Sequence, residues 1–400
     1  MERNTQIIEG KSEMDRKAVK RRDFIKTSVA AGMTAGLGAK NAHATKPVIL
    51  KRKLNRDFIR VGMVGLGPYS HAMAYTAAIN EPSVPPRTTM KVVAIWGKED
   101  NYLSSFRGSD SWRNQRMNDL MSYMSIDTFT KKLDVEHVVK APEEMLDLVD
   151  AVFITDPEHA LTLARPFLNA GKPVFINRPF AWSIGEAREI IRLAREHECP
   201  LAGGSCVPWM TEFQVAASRF NPQDVQCYYI DGSTANFGSY MPHILETAQK
   251  LVGGKVVRCS THGMTWPADE DPLSIPPLMV HLEHERILED RDPVIGVAST
   301  WFGQPYRNWA KVHCDHDVVE QAVYWEGSRG VDHDEHLWLP LLRIIDRTFE
   351  TGVWPENEDY LLNKVAAMLM AHKSGAEGGR PVGIDEIEGH ELPRYETEKG

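Results

Sequence analysis

Short apolar runs alternate with stretches of helical periodicity between residues 58 and 203. The apolar runs are rich in β-branched residues, and amphipathic segments separate them, which is the pattern of strands joined by crossover helices. Strands connected in this way form a parallel sheet with helices on its faces. The pattern predicts a doubly wound parallel sheet of the Rossmann type. Its predicted strands are 58–64, 90–96, 137–140, 150–155, 172–177 and 200–203, and its predicted helices are 71–79, 142–148, 158–170 and 183–196.

The pattern changes after residue 206, where strand-like runs follow one another with few helices between them. A chain of 400 residues is long enough for two domains, and this change marks the expected boundary between them. The strand-like runs are 226–230, 256–261, 294–301, 310–313 and 321–325, and helices are predicted at 242–252 and 337–350.

Composition excludes several classes of protein. Apolar residues make up 42% of the chain and charged residues 25%, the balance of a globular protein rather than a disordered, collagen-like or coiled-coil one. No apolar run is long enough to span a membrane. The formal net charge is −9 and charges of both signs are interspersed, so no nucleic-acid partner is expected.

The first 44 residues have the order of an export signal. Arg21 and Arg22 precede Phe-Ile-Lys, a weakly apolar run covers 27–39, and residues 42–44 read Ala-His-Ala. A basic region, an apolar region and a small-x-small cleavage site define a secretory signal, and paired arginines mark the twin-arginine type. The alternative is a basic linker with a short helix. We expect a signal at 1–44, a mature chain from Thr45 with no membrane span, the twin-arginine translocase as a partner during export, and a periplasmic or otherwise exported location.

A glycine-rich turn follows the first predicted strand and precedes the first predicted helix. Gly65 permits a tight turn, and Gly67 lets the backbone approach a pyrophosphate at the helix N-terminus. The third glycine of the usual motif is replaced by Ser70. The order of strand, turn and helix favours a dinucleotide site over an ordinary turn. The residues expected to line its phosphate side are Gly65, Gly67, Pro68, Tyr69 and Ser70.

The end of the second predicted strand bears on the choice of cofactor. In NAD sites an acidic residue here binds the ribose hydroxyls, but the strand ends at Trp96 and Gly97 stands where that acid is expected. Glu99 is the candidate ribose ligand, and Lys98 is suited to a 2′-phosphate. Trp96, Lys98 and Glu99 are therefore candidate cofactor residues. NAD and NADP both remain open, with a slight preference for NADP.

Cysteines and histidines suggest neither a disulfide framework nor a metal centre. Five cysteines leave at least one thiol free, and no Cys-x-x-Cys pair occurs, so mostly buried single thiols are expected. The histidine pairs 281/284, 313/316 and 333/336 have spacings that metals use, but no third ligand is fixed by sequence, and no metal is expected.

Four segments resemble the glucose–fructose oxidoreductase/inositol dehydrogenase (Gfo/Idh/MocA) family. They are 62–67 (GMVGLG), 149–159 (VDAVFITDPEH), 170–179 (AGKPVFINRP) and 374–382 (SGAEGGRPV), and their order and spacing carry the resemblance. It implies a Rossmann domain followed by an α/β domain whose large, mostly antiparallel open sheet serves as an oligomer interface. We expect an arm at 45–57, a NAD(P)-binding domain at 58–205 and a substrate and oligomerisation domain at 206–400. The further cofactor residues that the resemblance implies are Asp156, Pro157, His159, Asn177 and Arg178.

The chain departs from the family pattern at two catalytic positions. The family's lysine aligns with Arg178, and the aspartate and histidine of its Asp-x-x-x-His pair align with Ser239 and His243. An arginine stays charged and cannot act as a proton shuttle, so His243 is the expected general acid/base and Arg178 is expected to position a substrate oxygen. Glu246 lies on the same predicted helix face as His243 and is expected to orient its ring, and Tyr240 is the reserve candidate.

These features predict an exported NAD(P)-dependent oxidoreductase that transfers a hydride to or from a sugar, cyclitol or related polyol. The cofactor is expected to be tightly bound, since free dinucleotide is scarce outside the cytoplasm. Two alternatives remain at the level of sequence. One is redox-neutral glycoside cleavage through a transient keto-sugar, using bound NAD(H), and the other is a non-catalytic protein that binds a sugar or a cofactor.

Overall fold

The structure is a computed structural model with side chains. It describes residues 58–65, 71–81, 87–97, 126–156, 158–233, 237–263, 278–285, 292–301, 307–324 and 337–394. The predicted signal at 1–44 and the predicted arm at 45–57 lie outside the described residues, as does the histidine pair 333/336.

The N-terminal half forms the predicted parallel sheet. All its strand pairs are parallel, and the spatial order is β3-β2-β1-β4-β5-β6, so the first strand lies inside the sheet and the chain winds outward on both sides. Strands β4 and β5 are fully buried apolar runs, as expected for a sheet covered on both faces. The strands are β1 (Ile59–Val64), β2 (Met90–Trp96), β3 (His137–Val138), β4 (Ala151–Ile154), β5 (Val174–Asn177) and β6 (Leu201–Gly204).

Helices join these strands close to the predicted positions. At the start of α4, Ser183 Oγ accepts a hydrogen bond from the Glu186 N–H at 3.2 Å, and Glu186 Oε2 accepts one from the Trp182 N–H at 3.0 Å. The helix predicted at 142–148 is instead a single 3-10 turn, Pro142–Met145. The helices are α1 (Ala72–Asn80), α2 (Ile126–Lys132), α3 (Ala160–Asn169) and α4 (Ile184–Glu196).

The C-terminal half forms a second sheet with the order β12-β11-β7-β10-β9-β8-β13. Only β7 and β10 pair in parallel, and the other neighbours are antiparallel, which confirms the predicted mostly antiparallel sheet. Sequence analysis missed β9 and the short β13. The strands are β7 (Val225–Ser233), β8 (Val256–His262), β9 (Met279–His284), β10 (Ile295–Trp301), β11 (Arg307–Cys314), β12 (Val318–Tyr324) and β13 (Val382–Gly383).

Among the described residues, four α-helices accompany this sheet: α5 (Thr211–Ala217), α6 (Phe237–Val252), α7 (Leu339–Thr351) and α8 (Glu358–Ala376). The prediction that a helix begins at Pro242 is wrong, since α6 begins five residues earlier and Pro242 lies inside it. Pro242 has no N–H, so it cannot donate the helical hydrogen bond to the residue four positions before it. His243 therefore lies in the second turn rather than the first.

Helix α8 connects the two sheets, although sequence analysis did not identify it. Its residues contact both α4 and β8, and thirteen of its nineteen residues are buried. Because it is apolar on nearly all sides, it lacks the one-sided periodicity by which a surface helix is recognised. The chain then returns to the first sheet, where the Leu392 N–H donates to the Trp182 carbonyl at 3.0 Å.

The five cysteines are all free, and Cys199, Cys206 and Cys259 are buried, in line with the expectation of single thiols. Among the described helices, none has both the length and the apolar character needed to cross a membrane.

Candidate active site

Arg178 and His243 meet at the carboxyl edge of the first sheet. Arg178 directly follows β5, and His243 projects from α6; both are buried. Arg178 Nε donates to His243 Nε2 at 2.7 Å. The structure thus brings together two predicted catalytic residues that are 65 positions apart in the chain.

The contact with Arg178 fixes the protonation of His243. A guanidinium nitrogen only donates, so Nε2 must hold a lone pair and the ring proton resides on Nδ1. That nitrogen donates to Ser205 Oγ at 2.6 Å, and the same oxygen accepts from the Val207 N–H at 3.0 Å. Burial, and then the charge of Arg178, lower the pKa of His243 well below its usual value. The imidazole is therefore neutral, with its lone pair turned toward the arginine.

A second imidazole lies on the other side of the guanidinium. Arg178 Nη2 donates to Nε2 of the half-buried His71 at 2.9 Å, and the His71 ring packs edge-on against Trp338 with centroids 4.7 Å apart. Burial and the charge of Arg178 also lower the pKa of His71 well below its usual value. Sequence analysis assigned His71 only to the start of a helix. Its position directly after the glycine turn was the sequence feature that could have identified it as a site residue.

The hydrogen-bond chain continues from His71 into the sheet. His71 Nδ1 donates to the Tyr75 hydroxyl at 3.2 Å, and that hydroxyl donates to Asn177 Oδ1 at 3.2 Å. Asn177 is the last residue of β5 and is buried, and its Nδ2 has no hydrogen-bond partner within the described part of the chain. A buried, unsatisfied amide donor at this edge is suited to an acceptor group on a bound cofactor.

Glu246 lies close to His243, but Ser205 lies between them. Glu246 Oε2 accepts from the Ser205 N–H at 2.8 Å and forms an ion pair with Lys364 of α8 at 3.2 Å. Glu246 therefore orients His243 only indirectly. It accepts from the Ser205 N–H, and the Ser205 hydroxyl holds the His243 ring. Sequence analysis missed Ser205 because it lies in a turn after β6, outside the four motifs.

Lys364 is a buried cation with two carboxylate partners. Its Nζ lies 2.6 Å from Glu356 Oε2 and 2.9 Å from the Gly203 carbonyl, in addition to the Glu246 pair. Burial opposes its charge, but the two carboxylates outweigh that and raise the pKa of Lys364. Gly204 passes close by with φ +109°, and any side chain there would overlap Glu246.

Tyr240 lies one helical turn before His243. The guanidinium carbon of Arg178 lies 5.6 Å from the centroid of the Tyr240 ring, and the Tyr240 and His243 rings meet edge-on at 5.7 Å. Ser239 also lies in α6, four residues before His243. All four predicted catalytic residues therefore lie within one neighbourhood.

The expected cofactor side is described only in part. Gly65 has φ +104°, and a side chain there would overlap the backbone of Asp156 at the end of β4, so the turn after β1 depends on glycine. Nδ1 of His159 lies 3.5 Å from Asp156 Oδ1, and Trp96 Nε1 donates to the Lys140 carbonyl at 3.1 Å. This close approach of β1 and β4, together with the free Asn177 amide, fits a dinucleotide at this edge. The other predicted cofactor residues, Gly67, Pro68, Tyr69, Ser70, Lys98, Glu99 and Pro157, lie outside the described residues.

Metal-ligand clusters are absent from the part of the chain that the structure describes. Of the histidine pairs, His284 is buried in the C-terminal sheet between the Tyr228 hydroxyl at 2.7 Å and the Gly254 carbonyl at 2.9 Å. Burial lowers its pKa to about 4.

Residues 59–205 match the family model GFO_IDH_MocA, described as "Oxidoreductase family, NAD-binding Rossmann fold". This part of the chain is similar to that family, in line with the predicted Rossmann fold, and the match supports the prediction of an NAD-dependent oxidoreductase. No curated protein sequence matches the chain.

Solved structures share the fold of both halves. A probable dehydrogenase from Thermotoga maritima superposes with a TM-score of 0.63 at 15% identity, over 82% of this chain and 100% of that chain. The apo scyllo-inositol dehydrogenase from Lactobacillus casei gives 0.63 at 14%, over 83% and 100%. The myo-inositol 2-dehydrogenase from Lactobacillus plantarum gives 0.63 at 14%, over 82% and 99%. At these identities the likeness establishes the fold.

Proposed function

We propose that this protein, whose residues 59–205 match the Gfo/Idh/MocA oxidoreductase model, oxidises or reduces a hydroxyl-bearing carbon of a sugar, cyclitol or related polyol. The observation that carries the proposal is the contact between Arg178 and His243 at the carboxyl edge of the parallel sheet. Ligands of open α/β sheets bind outside this edge. The inositol dehydrogenases among the similar structures support the substrate class.

The roles of the side chains follow from their protonation. A bound nicotinamide supplies the hydride acceptor or donor. Arg178 presents N–H donors to the reacting oxygen and stabilises negative charge developing there. The lone pair on His243 Nε2 accepts the hydroxyl proton of the substrate. It becomes available when Arg178 breaks its hydrogen bond to Nε2 and donates to the substrate oxygen instead. Ser205 holds the ring through Nδ1 during this exchange.

A tightly bound NAD or NADP is part of the proposal. The free amide donor of Asn177 and the glycine turn at Gly65 support a dinucleotide, and Lys98 keeps NADP open. Mass spectrometry of nucleotide released from the purified protein by denaturation tests both points. Protein that yields no nucleotide and also fails to quench NADH or NADPH fluorescence would contradict the proposed function.

Reaction type is tested by incubating the loaded protein with sugars and with aryl glycosides, without added oxidant. We expect a change in nicotinamide absorbance at 340 nm with a sugar. Release of the aryl group with no net change in absorbance would instead support redox-neutral cleavage of the glycosidic bond.

Export by the twin-arginine pathway is proposed from Arg21, Arg22 and the Ala42-His43-Ala44 site. The double substitution of both arginines by lysine is expected to trap the precursor in the cytoplasm. The same chain with Lys51 and Arg52 exchanged to Arg and Lys serves as the control. Undiminished periplasmic protein in the arginine variant would refute the proposal.

A homo-oligomer through the C-terminal sheet is proposed from the exposed large apolar side chains on its strands. Met279 on β9 and Ile295 on β10 are 41% and 56% exposed. Light scattering coupled to size exclusion tests this directly. We expect an oligomer in the wild type and a shift toward monomer in Ile295→Lys, whereas a monomeric wild type would contradict it.

A further inference from the structure

Arg178 is a buried cation whose partners are all uncharged. Its side-chain contacts among the described residues are with the neutral imidazoles of His243 and His71 and the ring of Tyr240. None of these supplies a negative charge, and no described carboxylate forms an ion pair with Arg178. Burying a charge without a counter-charge is costly, so such groups occur in proteins mainly where an ion or ligand completes them.

The donors of Arg178 are only partly used. A guanidinium has five N–H groups in a planar fork, and here Nε–H and one N–H on Nη2 are engaged by the two histidines. The remaining N–H groups lie on the two Nη atoms, and one from each can bind a carboxylate end-on in a bidentate pair. Before substrate binds, the two histidines hold the guanidinium on one side, and this Nη1/Nη2 edge is available for a carboxylate.

We propose that the substrate of this site carries a carboxylate that pairs with Arg178, so that it is a sugar acid or related hydroxy acid rather than a neutral polyol. The inference rests on the proposed function, because it assigns a substrate class to that same site. An anion beside Arg178 also offsets the charge that lowers the pKa of His243. The substrate would then bring the general base closer to working pH.

A cofactor phosphate is the other source of negative charge for Arg178. The expected pyrophosphate site lies at the turn after β1, whereas Arg178 follows β5, and β4 separates the two strands in the sheet. This separation favours the substrate. The two sources are distinguished by measuring dinucleotide affinity and acid affinity separately on the same variants.

Calorimetric titration of the full-length mature protein tests the proposal, with and without added dinucleotide. The probes are D-glucuronate, D-galacturonate and D-gluconate, each paired with its neutral counterpart D-glucose, D-galactose and sorbitol. In the wild type we expect at least one acid to bind about tenfold tighter than its counterpart, a difference of about 1.4 kcal/mol. Arg178→Met should abolish this preference, and Arg178→Lys should retain part of it, because the charge remains but the planar fork is lost.

A matched control is Arg60→Met. Arg60 lies on the same sheet but forms a bidentate pair with Asp150, so its removal should leave the acid preference unchanged. Circular dichroism and thermal melting establish that each variant is folded.

Three outcomes would overturn the proposal. They are a wild type that binds no acid or binds the neutral sugars equally well, an Arg178→Met variant that keeps the acid preference, and an Arg178→Met variant that loses dinucleotide affinity while the acids bind as before. Failure of the proposed function is a separate result: the wild type would then bind no dinucleotide, whereas acid binding is also measured with none added.

Discussion

Two buried cations, Arg178 and Lys364, lie in the same region of the molecule and are satisfied in different ways. Lys364 has two carboxylates, Glu246 and Glu356, within 3.2 Å, whereas Arg178 has two neutral imidazoles. The clusters are linked, since Glu246 accepts from the N–H of Ser205 and the Ser205 hydroxyl holds His243.

The difference separates a structural charge from a functional one. Around Lys364 every charge has a protein counter-charge, so this cluster is complete without a ligand and can hold Ser205 in place. Around Arg178 the described residues supply geometry but no negative charge. The Lys364 cluster thus gives rigid support to the neighbouring Arg178 site, whose counter-charge comes from a ligand.

The substitution that should change turnover most is His243→Ala, because it removes the proton acceptor beside Arg178. His243→Ala should reduce kcat by about 10²–10⁴, the usual contribution of a general acid/base, while dinucleotide affinity is unchanged. Stopped-flow turnover and fluorescence titration measure the two quantities. His284→Ala is the control, since it removes a buried histidine far from Arg178. A kcat reduced by less than about tenfold would show that the base lies elsewhere, with Tyr240 and Glu246 next to test.

The comparison predicts unequal effects on stability at the two cations. Lys364→Met leaves Glu246 and Glu356 buried without their cation and should cost about 3–5 kcal/mol, whereas Arg178→Met removes an uncompensated charge and should change stability by less than about 1 kcal/mol. Urea unfolding at pH 7.5 measures both. The half-buried Lys91, which pairs with the exposed Asp134 and Glu136, provides Lys91→Met as a control expected to cost less than about 1 kcal/mol. Equal losses of stability in Lys364→Met and Arg178→Met would contradict the distinction between a structural and a functional charge.

Ser205 connects the two clusters, and its loss should have an intermediate effect. Ser205→Ala leaves the His243 Nδ1–H and the Val207 N–H without their acceptor and should lower stability by about 1–3 kcal/mol, with a clear loss of kcat. Ser374 is a matched buried serine, which accepts from the Thr261 N–H at 2.9 Å and donates to Arg380. Ser374→Ala should lower stability similarly but leave kcat unchanged. If the two variants lose kcat equally, the role of Ser205 is only structural.

The smallest expected effect is on the pH dependence of stability. Because the pKa of His243 is lowered in the folded protein, the unfolded chain takes up the proton first as pH falls. The neutral histidine's contribution to stability is therefore present above about pH 6.5 and lost below it. Arg178→Met removes the neighbouring charge, so the pKa of His243 should rise, though burial still keeps it below 6.5.

Two measurements check this point. The His243 ring is followed by NMR between pH 8 and pH 4, and urea midpoints are compared at pH 7.5 and pH 5. Relative to wild type, Arg178→Met should lose less stability on acidification. The same acid sensitivity in both proteins, with an unmoved His243 titration, would show that the guanidinium does not control this imidazole.

Local sequence patterns were sufficient for much of the fold. Buried parallel strands such as β4 and β5 are continuous apolar runs, and the helix at 184–196 begins at a capping serine, so both could be located from the chain alone. Helix α8 and the start of α6 could not. The first is buried on nearly all sides, and the second contains Pro242, a residue that local rules place at the first position of a helix rather than inside it.

For the candidate site, the residues that can do chemistry are visible in the sequence: an arginine in place of a lysine, a histidine that can hold a proton, and a glycine turn after the first strand. Their protonation states depend on how the chain folds. Arg178, His243, His71 and Ser205 come from separate segments, and their protonation follows from which nitrogen faces which donor. Local periodicity reports the environment of neighbouring residues, whereas hydrogen-bond direction and counter-charge depend on contacts between segments far apart in the chain. Those contacts give Lys364 two carboxylate partners, whereas Arg178 has no counter-charge in the part of the chain that the structure describes.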